Sequence, residues 1–129
     1  MVFKSAKVLI ATIGLCLGSA AIAEDLVAYS STDSGTYHYY YADTIIRYPD
    51  NTVEVWTKAD HSKDKTVSWR TSKDKLRINC YNETYGLKAS YEYGADGSIM
   101  NSQVFDYPNM RPIVPESVMN ILRQKLCSK

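Results

Sequence analysis

The side chains with the clearest capacity for covalent chemistry are three cysteines, Cys16, Cys80 and Cys127. Cys16 lies inside an apolar N-terminal run and leaves with it if that run is cleaved. A lipid-anchored Cys16 is disfavoured because Leu15 precedes it, where the lipoprotein peptidase needs a small side chain. Cys80 and Cys127 then allow only one pairing, and a disulfide is the default in an exported chain, with two free thiols as the alternative. Such a bond across 46 intervening residues would stabilise the fold by about 4 kcal/mol.

The two histidines are the residues to consider as general bases or metal ligands. His38 points to the side of its predicted strand opposite to Tyr37, Tyr39 and Tyr41. His61 lies in a charged loop beside Asp60, so we predict that the two histidines have unrelated settings. The chain has no H-E-x-x-H, G-x-S-x-G, P-loop or glycine-rich dinucleotide motif, and its histidines lack spare cysteine ligands for a structural zinc site. We therefore predict no enzyme, no metal and no cofactor. A deep pocket in which either histidine converges with carboxylates would favour an enzyme instead.

The third candidate site is the charged segment from Lys58 to Lys75, which has a local net charge of +3. A run of mixed charges is usually a solvated loop or a sheet edge. The functional alternative is an electropositive contact patch in which Trp69 is an aromatic anchor. The candidate binding residues are Lys58, Lys63, Lys65, Trp69, Arg70, Lys73 and Lys75. The alternation of Val67, Trp69 and Thr71 predicts a brief strand inside this loop.

The N-terminal residues have the three-part layout of a secretory signal peptide, with Lys4 and Lys7 before the apolar run and Ala21-Ile22-Ala23 after it. We predict a signal peptide over residues 1–23 and one domain over residues 24–129, and no transmembrane segment in the mature chain. Removing the two lysines leaves 13 basic against 14 acidic residues, a net charge of −1. This size and charge exclude a multidomain enzyme, a polytopic membrane protein and a strongly basic nucleic-acid binder.

Period-two alternation between Val27 and Val104 predicts the elements that must position these residues, an antiparallel meander of five or six strands. Asp96-Gly97 predicts a hairpin turn. One predicted strand places Leu87, Ala89, Tyr91 and Tyr93 on the same face. The eleven tyrosines suit a half-buried pleated surface, or alternatively an interaction surface. No basic face is in register with the tyrosines, so we predict no nucleic-acid partner.

The C-terminal pattern differs from the strand pattern. Val118, Ile121, Leu122 and Leu126 recur at helical spacing and predict one short helix packed on the sheet, an α+β fold. Pro115 and Glu116 suit its first turn. The helix should end near Leu126 so that Cys127 can turn back towards Cys80.

Several segments carry a resemblance to a known family when they are taken in order. They are the tyrosine segment leading into Asp43-Thr44-Ile45, Thr52-Val53-Glu54-Val55-Trp56, Leu76-Arg77-Ile78-Asn79-Cys80, Asp96-Gly97, and Pro112-Ile113-Val114-Pro115-Glu116-Ser117 followed by Cys127. This ordered set resembles the surface-adhesin protein E family of small exported Gram-negative proteins. The resemblance implies an antiparallel sheet with a C-terminal helix and a Cys80–Cys127 bond. It also implies adhesion to host proteins such as vitronectin, laminin and plasminogen, through lysine-bearing surface segments.

We therefore predict a non-enzymatic, adhesin-like exported protein that contacts host extracellular-matrix or serum proteins. The alternative is a soluble periplasmic interaction or inhibitor module of the cell envelope. Because Cys16 lacks an acceptable lipobox, both the periplasm and the outer surface of a Gram-negative bacterium remain open as locations. A homodimer is also left open by the sequence.

Overall fold

The computed structural model describes residues 25–127 of the chain. The predicted signal peptide, residues 1–23, and Cys16 within it lie outside the described residues. In residues 25–127, no helix combines the length and the apolar character that are needed to cross a membrane.

The described chain forms one antiparallel sheet and a C-terminal helix, which confirms the predicted α+β meander. The strands are β1 (Leu26–Ser31), β2 (Tyr37–Tyr41), β3 (Ile46–Arg47), β4 (Thr52–Asp60), β5 (Thr71–Asn79), β6 (Thr84–Tyr93), β7 (Ile99–Val104) and β8 (Arg111–Pro112). The longer strands are hydrogen-bonded in the order β1-β2-β4-β5-β6-β7, while the two-residue strands β3 and β8 pair with β4 and β6. The predicted hairpin turn is present, with Gly97 at a φ of 84°.

The core lies on one face of the central strands, where apolar residues meet across β4 and β5. Val53 is opposite Ile78 and Val55 is opposite Leu76. Cross-strand neighbours point to the same side of a sheet, so these four side chains form one layer. All four are buried in the hydrophobic core that also contacts the helix. We call this side of the sheet the helix face and the opposite side the open face.

A β-bulge at Lys88 changes the side to which the second half of β6 points. Leu76 is opposite Leu87, but the adjacent Lys75 is opposite Ala89, so one residue of β6 is left over between the two pairs. Leu87 therefore packs on the helix face, whereas Ala89, Tyr91 and Tyr93 point to the open face. The prediction that these residues share one face is wrong for Leu87, because strict alternation does not survive a bulge.

The helix α1 (Val118–Cys127) packs its Leu122 and Leu126 into the core, with Met119 against it. The predicted stripe is thus displaced, because Met119 packs against the core and Ile121 is not among the core residues. The predicted first turn is also wrong, since Pro115 and Glu116 precede the helix. Ser117 is the N-cap instead, and its Oγ accepts a hydrogen bond of 3.1 Å from the Asn120 N–H. That bond satisfies one of the free N–H groups of the first turn.

The C-terminal end of α1 is attached to the sheet in two ways. Cys127 is bonded to Cys80, with the two Cα atoms 5.7 Å apart, and Cys80 follows the central strand β5 directly. The predicted disulfide and its place in the fold are confirmed. In addition, Arg47 Nη1 donates a hydrogen bond of 2.6 Å to the Leu126 carbonyl, one of the acceptors that a helix leaves unpaired.

Candidate functional site

The structure separates the predicted binding residues into distinct places. Lys58, Lys73 and Lys75 belong to β4 and β5 and point to the open face. Lys63 and Lys65 are exposed in the loop of residues 61–70, which we call the β4–β5 loop. Trp69 belongs to the same loop, but its ring is nearly perpendicular to the His61 ring, with centres 6.1 Å apart, and it lines the cavity on the helix-face side. Trp69 therefore lies on the side of the sheet opposite to Lys58, Lys73 and Lys75.

Arg70 has a structural role within the β4–β5 loop. Its guanidinium donates hydrogen bonds to the carbonyls of Ser62 (3.3 Å), Asp64 (3.4 Å) and Val67 (2.5 Å). These bonds curl the loop around the side chain. The predicted brief strand at Val67 and Trp69 is wrong for this reason, and β5 begins only at Thr71.

Asp64 attaches the same loop to the β1–β2 turn. Its carboxylate is buried and accepts hydrogen bonds from the hydroxyls of Thr66 (2.5 Å), Thr36 (2.7 Å) and Ser34 (3.0 Å), and from the Thr66 N–H (2.9 Å). The Thr66 and Thr36 hydroxyls hold the pKa of Asp64 well below its ordinary value. The loop that carries Lys63 and Lys65 is therefore held at a fixed place beside the sheet.

Tyrosines and lysines alternate across the open face. Tyr39 is opposite Lys58, Lys58 is opposite Lys73, and Lys73 is opposite Tyr91, which gives one continuous row across β2, β4, β5 and β6. The Lys73 Nζ lies 5.7 Å from the centre of the Tyr93 ring, within the range of a cation–π interaction. A basic face is thus in register with the tyrosines, contrary to the prediction. The sequence does not show this basic face because the residues of the row lie in four different strands.

A second aromatic contact and a buried carboxylate complete the open face. Trp56 and Tyr91 have ring centres 6.2 Å apart. Next to them, the Glu54 side chain is only 3% exposed and lies 2.5 Å from Arg77 and 3.4 Å from Lys88. Burial raises the pKa of Glu54, but Arg77 and Lys88 outweigh it, and the pKa is below its ordinary value. Glu54 therefore neutralises cations at one end of the open face.

Lys58 and Lys73 are different, because neither forms an ion pair with any carboxylate in residues 25–127. Their charge is available to a partner. The helix α1 does not cover the sheet residues around them, since it packs on the other face. The open face therefore offers cations and aromatic rings together.

The helix face carries a cavity of about 820 Å³ beyond the N-terminal end of α1. The helix has 10 residues, about 15 Å, whereas β4 and β5 have 9 residues each, about 30 Å, so it covers only part of them. Both His38 and His61 line the cavity. The prediction of unrelated settings is wrong, because His38 is opposite Ala59 in the sheet and His61 follows two residues later.

The chemistry of His61 is defined by its hydrogen bonds. Thr36 Oγ1 donates to Asp64, so it accepts from His61 Nδ1 at 3.1 Å, and this leaves Nε2 as the acceptor for Ser72 Oγ at 3.1 Å. A serine beside an unprotonated imidazole nitrogen is the geometry of an activated nucleophile. Burial lowers the pKa of His61 and of His38, which keeps both rings neutral at neutral pH.

In the described part of the chain, the backbone N–H groups beside Ser72 are not free to stabilise an oxyanion. Ser72 lies inside β5, between β4 and β6, where the backbone N–H groups are used by the sheet itself. The sequence pattern did not lead us to the polar residues Ser72 and Asp74 that line the cavity. A signal for them existed, because Ser72 and Asp74 continue the alternation of Leu76 and Ile78 with polar residues, on the same face.

Comparisons with known proteins agree on one family and fold. The sequence model described as surface-adhesin protein E matches residues 26–128. The structure of crystal form II of Haemophilus influenzae protein E is similar, with a TM-score of 0.60 and 11% identity, covering 83% of this chain and 90% of that one. A second structure of Haemophilus influenzae protein E has a TM-score of 0.57 and 10% identity, covering 83% and 86%. At this identity, the structures show the fold alone. None of the curated proteins compared with the chain matches it.

Proposed function

Because the chain belongs to the surface-adhesin protein E family, we propose that it is an exported adhesin-like protein whose open face binds an acidic region of a host extracellular-matrix or serum protein. The observation that supports this most directly is the row of Tyr39, Lys58, Lys73 and Tyr91. Its lysines have no carboxylate partner in the described chain, and its tyrosines supply contact area. Interfaces are enriched in tyrosine and tryptophan, and lysines steer acidic partners by long-range attraction.

The exposed Lys63 and Lys65 extend this positive surface in the proposal. They lie in the β4–β5 loop, which Asp64 and Arg70 hold in place. A loop that is already ordered loses less conformational entropy on binding than a mobile one. The partner would therefore meet one surface made of the open face and the loop.

The experiment is a solid-phase assay in which the mature protein binds immobilised vitronectin at two salt concentrations. Lys58→Glu and Lys73→Glu should each weaken binding by about tenfold, because each reverses a charge that faces the partner. Lys125→Glu is the matched control, since Lys125 is an exposed lysine on α1 and lies away from the open face. Equal loss in all three variants, or no binding by the unmodified protein, would count against the proposal.

The proposal assigns binding to this protein and no catalysis. The backbone N–H groups beside Ser72 are engaged in the sheet, which supports this choice, although the histidine geometry favours a search for activity. Hydrolysis of p-nitrophenyl acetate above the rate in buffer, abolished by Ser72→Ala, would overturn it.

A second candidate function is a periplasmic interaction module that works through a sheet edge. In the hydrogen-bonded order, β7 pairs only with β6, and its Ile99 and Val104 are 57% and 69% exposed. An exposed apolar edge strand can pair with a strand of another protein or of a second copy. Protease treatment of intact cells separates the candidates, since a surface adhesin is degraded and a periplasmic protein is protected. A dimer in gel filtration that Val104→Lys dissociates would identify the second copy as the partner.

A further inference from the structure

We infer that the cavity on the helix face binds a small organic cation, with an ammonium group at its acidic end and an apolar body along its wall. The cavity is separated from the open face by the sheet itself, so this site is independent of the adhesive surface. Its volume of about 820 Å³ lies in the range of pockets that hold small molecules.

Two carboxylates make one end of the cavity acidic. Asp74 is opposite Ser90, and Ser72 is opposite Glu92, so the carboxylates are diagonal neighbours on β5 and β6. Neither forms an ion pair with a cation in the part of the chain that the structure describes. In the same part, Asp74 Oδ1 is buried without any hydrogen-bond partner. A buried carboxylate oxygen without a partner is costly, and a cation bound beside the Asp74 carboxylate offsets part of that cost by charge attraction.

The cations that line the cavity do not neutralise this end. The Lys58 side chain belongs to the open face, as its place between Tyr39 and Lys73 shows. Arg111 is opposite Tyr85, which is seven residues from Glu92 along β6, about 23 Å at the rise of a strand. The two histidines are held neutral by burial, which lowers the pKa of each. In residues 25–127, neither these lining cations nor the histidines therefore place a positive charge beside Asp74 and Glu92.

The walls fit an organic cation better than a bare ion. Tyr29, which lies near Asp74, and Trp69 both line the cavity, and aromatic faces attract ammonium groups. Leu76, Leu87, Phe105 and Met119 continue the lining towards α1. A ligand with a charged head and an apolar body of several carbon atoms would contact both parts.

Isothermal titration calorimetry with 4-phenylbutylamine tests the inference against 4-phenyl-1-butanol, which has the same body and a neutral head. We expect the amine to bind at least tenfold more tightly than the alcohol. Asp74→Asn keeps the shape of the side chain and removes its charge, so it should weaken amine binding about tenfold and leave the binding of the alcohol unchanged.

Lys73→Ala is the matched control, because Lys73 lies next to Asp74 in β5 but points to the open face. It should leave amine binding unchanged, whereas it should weaken adhesion. Circular dichroism of Asp74→Asn verifies that the variant is folded. Equal affinities for amine and alcohol, no binding of the amine, or full amine binding by folded Asp74→Asn would each overturn the inference.

Discussion

Leu87 and Ala89 lie on opposite faces of the sheet although they are two residues apart in one strand. The bulge at Lys88 is responsible, and it has two consequences for this protein. It keeps Leu87 in contact with the core, and it brings Tyr91 and Tyr93 to the side that carries Lys73. The composition of both faces therefore depends on one extra residue.

Deletion of Lys88 should destabilise the domain by about 2 kcal/mol or more, because regular alternation forces either Leu87 out of the core or Tyr91 and Tyr93 onto the helix face. Urea unfolding measures the change. Lys88→Ala is the control, since it keeps the bulge and removes only the Lys88 ion pair with Glu54. Arg77 still pairs with that buried carboxylate, so the variant should cost less than the deletion. Equal unfolding free energies for the two variants would contradict this role of the bulge.

Cys127→Ala should lower the free energy of unfolding by about 4 kcal/mol, because the bond to Cys80 closes a long loop in the unfolded chain. Thermal unfolding followed by circular dichroism, with and without reductant, measures the effect. The unmodified protein should lose stability in reductant, and the variant should not respond. Equal melting temperatures of the unmodified protein under both conditions would rule out a structural role for the bond.

Stability should fall as the pH is lowered from 7.5 to 5. Burial lowers the pKa of both His38 and His61 from the ordinary value of 6.5. The unfolded chain therefore binds more protons in this range, and the stabilisation that is complete above pH 6.5 is lost as the pH falls through the folded pKa values. Melting temperatures across this range are the measurement. In His38→Asn/His61→Asn the decrease should be smaller, and an unchanged decrease would exclude the histidines as its cause.

Asp74→Asn should raise the melting temperature at pH 7 and leave it nearly unchanged at pH 3. Burial raises the pKa of Asp74 above the ordinary value of 3.8, while Ser90 opposes the rise and Glu92 adds to it. A group with a raised folded pKa contributes stability below pH 3.8 and loses it as the pH rises through the folded value. The asparagine side chain carries no charge, so it removes the cost of burying a carboxylate at neutral pH. A lower melting temperature of the variant at pH 7 would mean that the Asp74 carboxylate is stabilising.

Much of the fold could be predicted because its signals are local. The alternation in β4 and β5, the Asp96-Gly97 turn and the C-terminal helix are each encoded within a few residues, and two cysteines in the exported domain allow one disulfide. The displaced stripe of α1 shows the limit of such signals. Helical spacing identifies an apolar side, but the contact with the sheet decides that Met119, and not Ile121, packs against the core.

The candidate sites could be predicted only in part, since their residues come from separate strands. The lysines of β4 and β5 were named as candidates, and their row with Tyr39 and Tyr91 arises from strand pairing. Trp69 was assigned to the same patch, yet the curled β4–β5 loop directs it to the other side of the sheet. Asp74 belongs to no sequence motif. In residues 25–127 its Oδ1 has no hydrogen-bond partner, which depends on the residues packed around it.

The sequence by itself therefore determined the strands, the helix, the disulfide and the family, because periodicity, turn residues and ordered motifs are read along the chain. Only the tertiary structure decided that His38 and His61 share a cavity and that Lys73 lies between tyrosine rings. The physical reason is that the side of a sheet to which a residue points depends on every bulge before it, and its neighbours depend on the register with other strands.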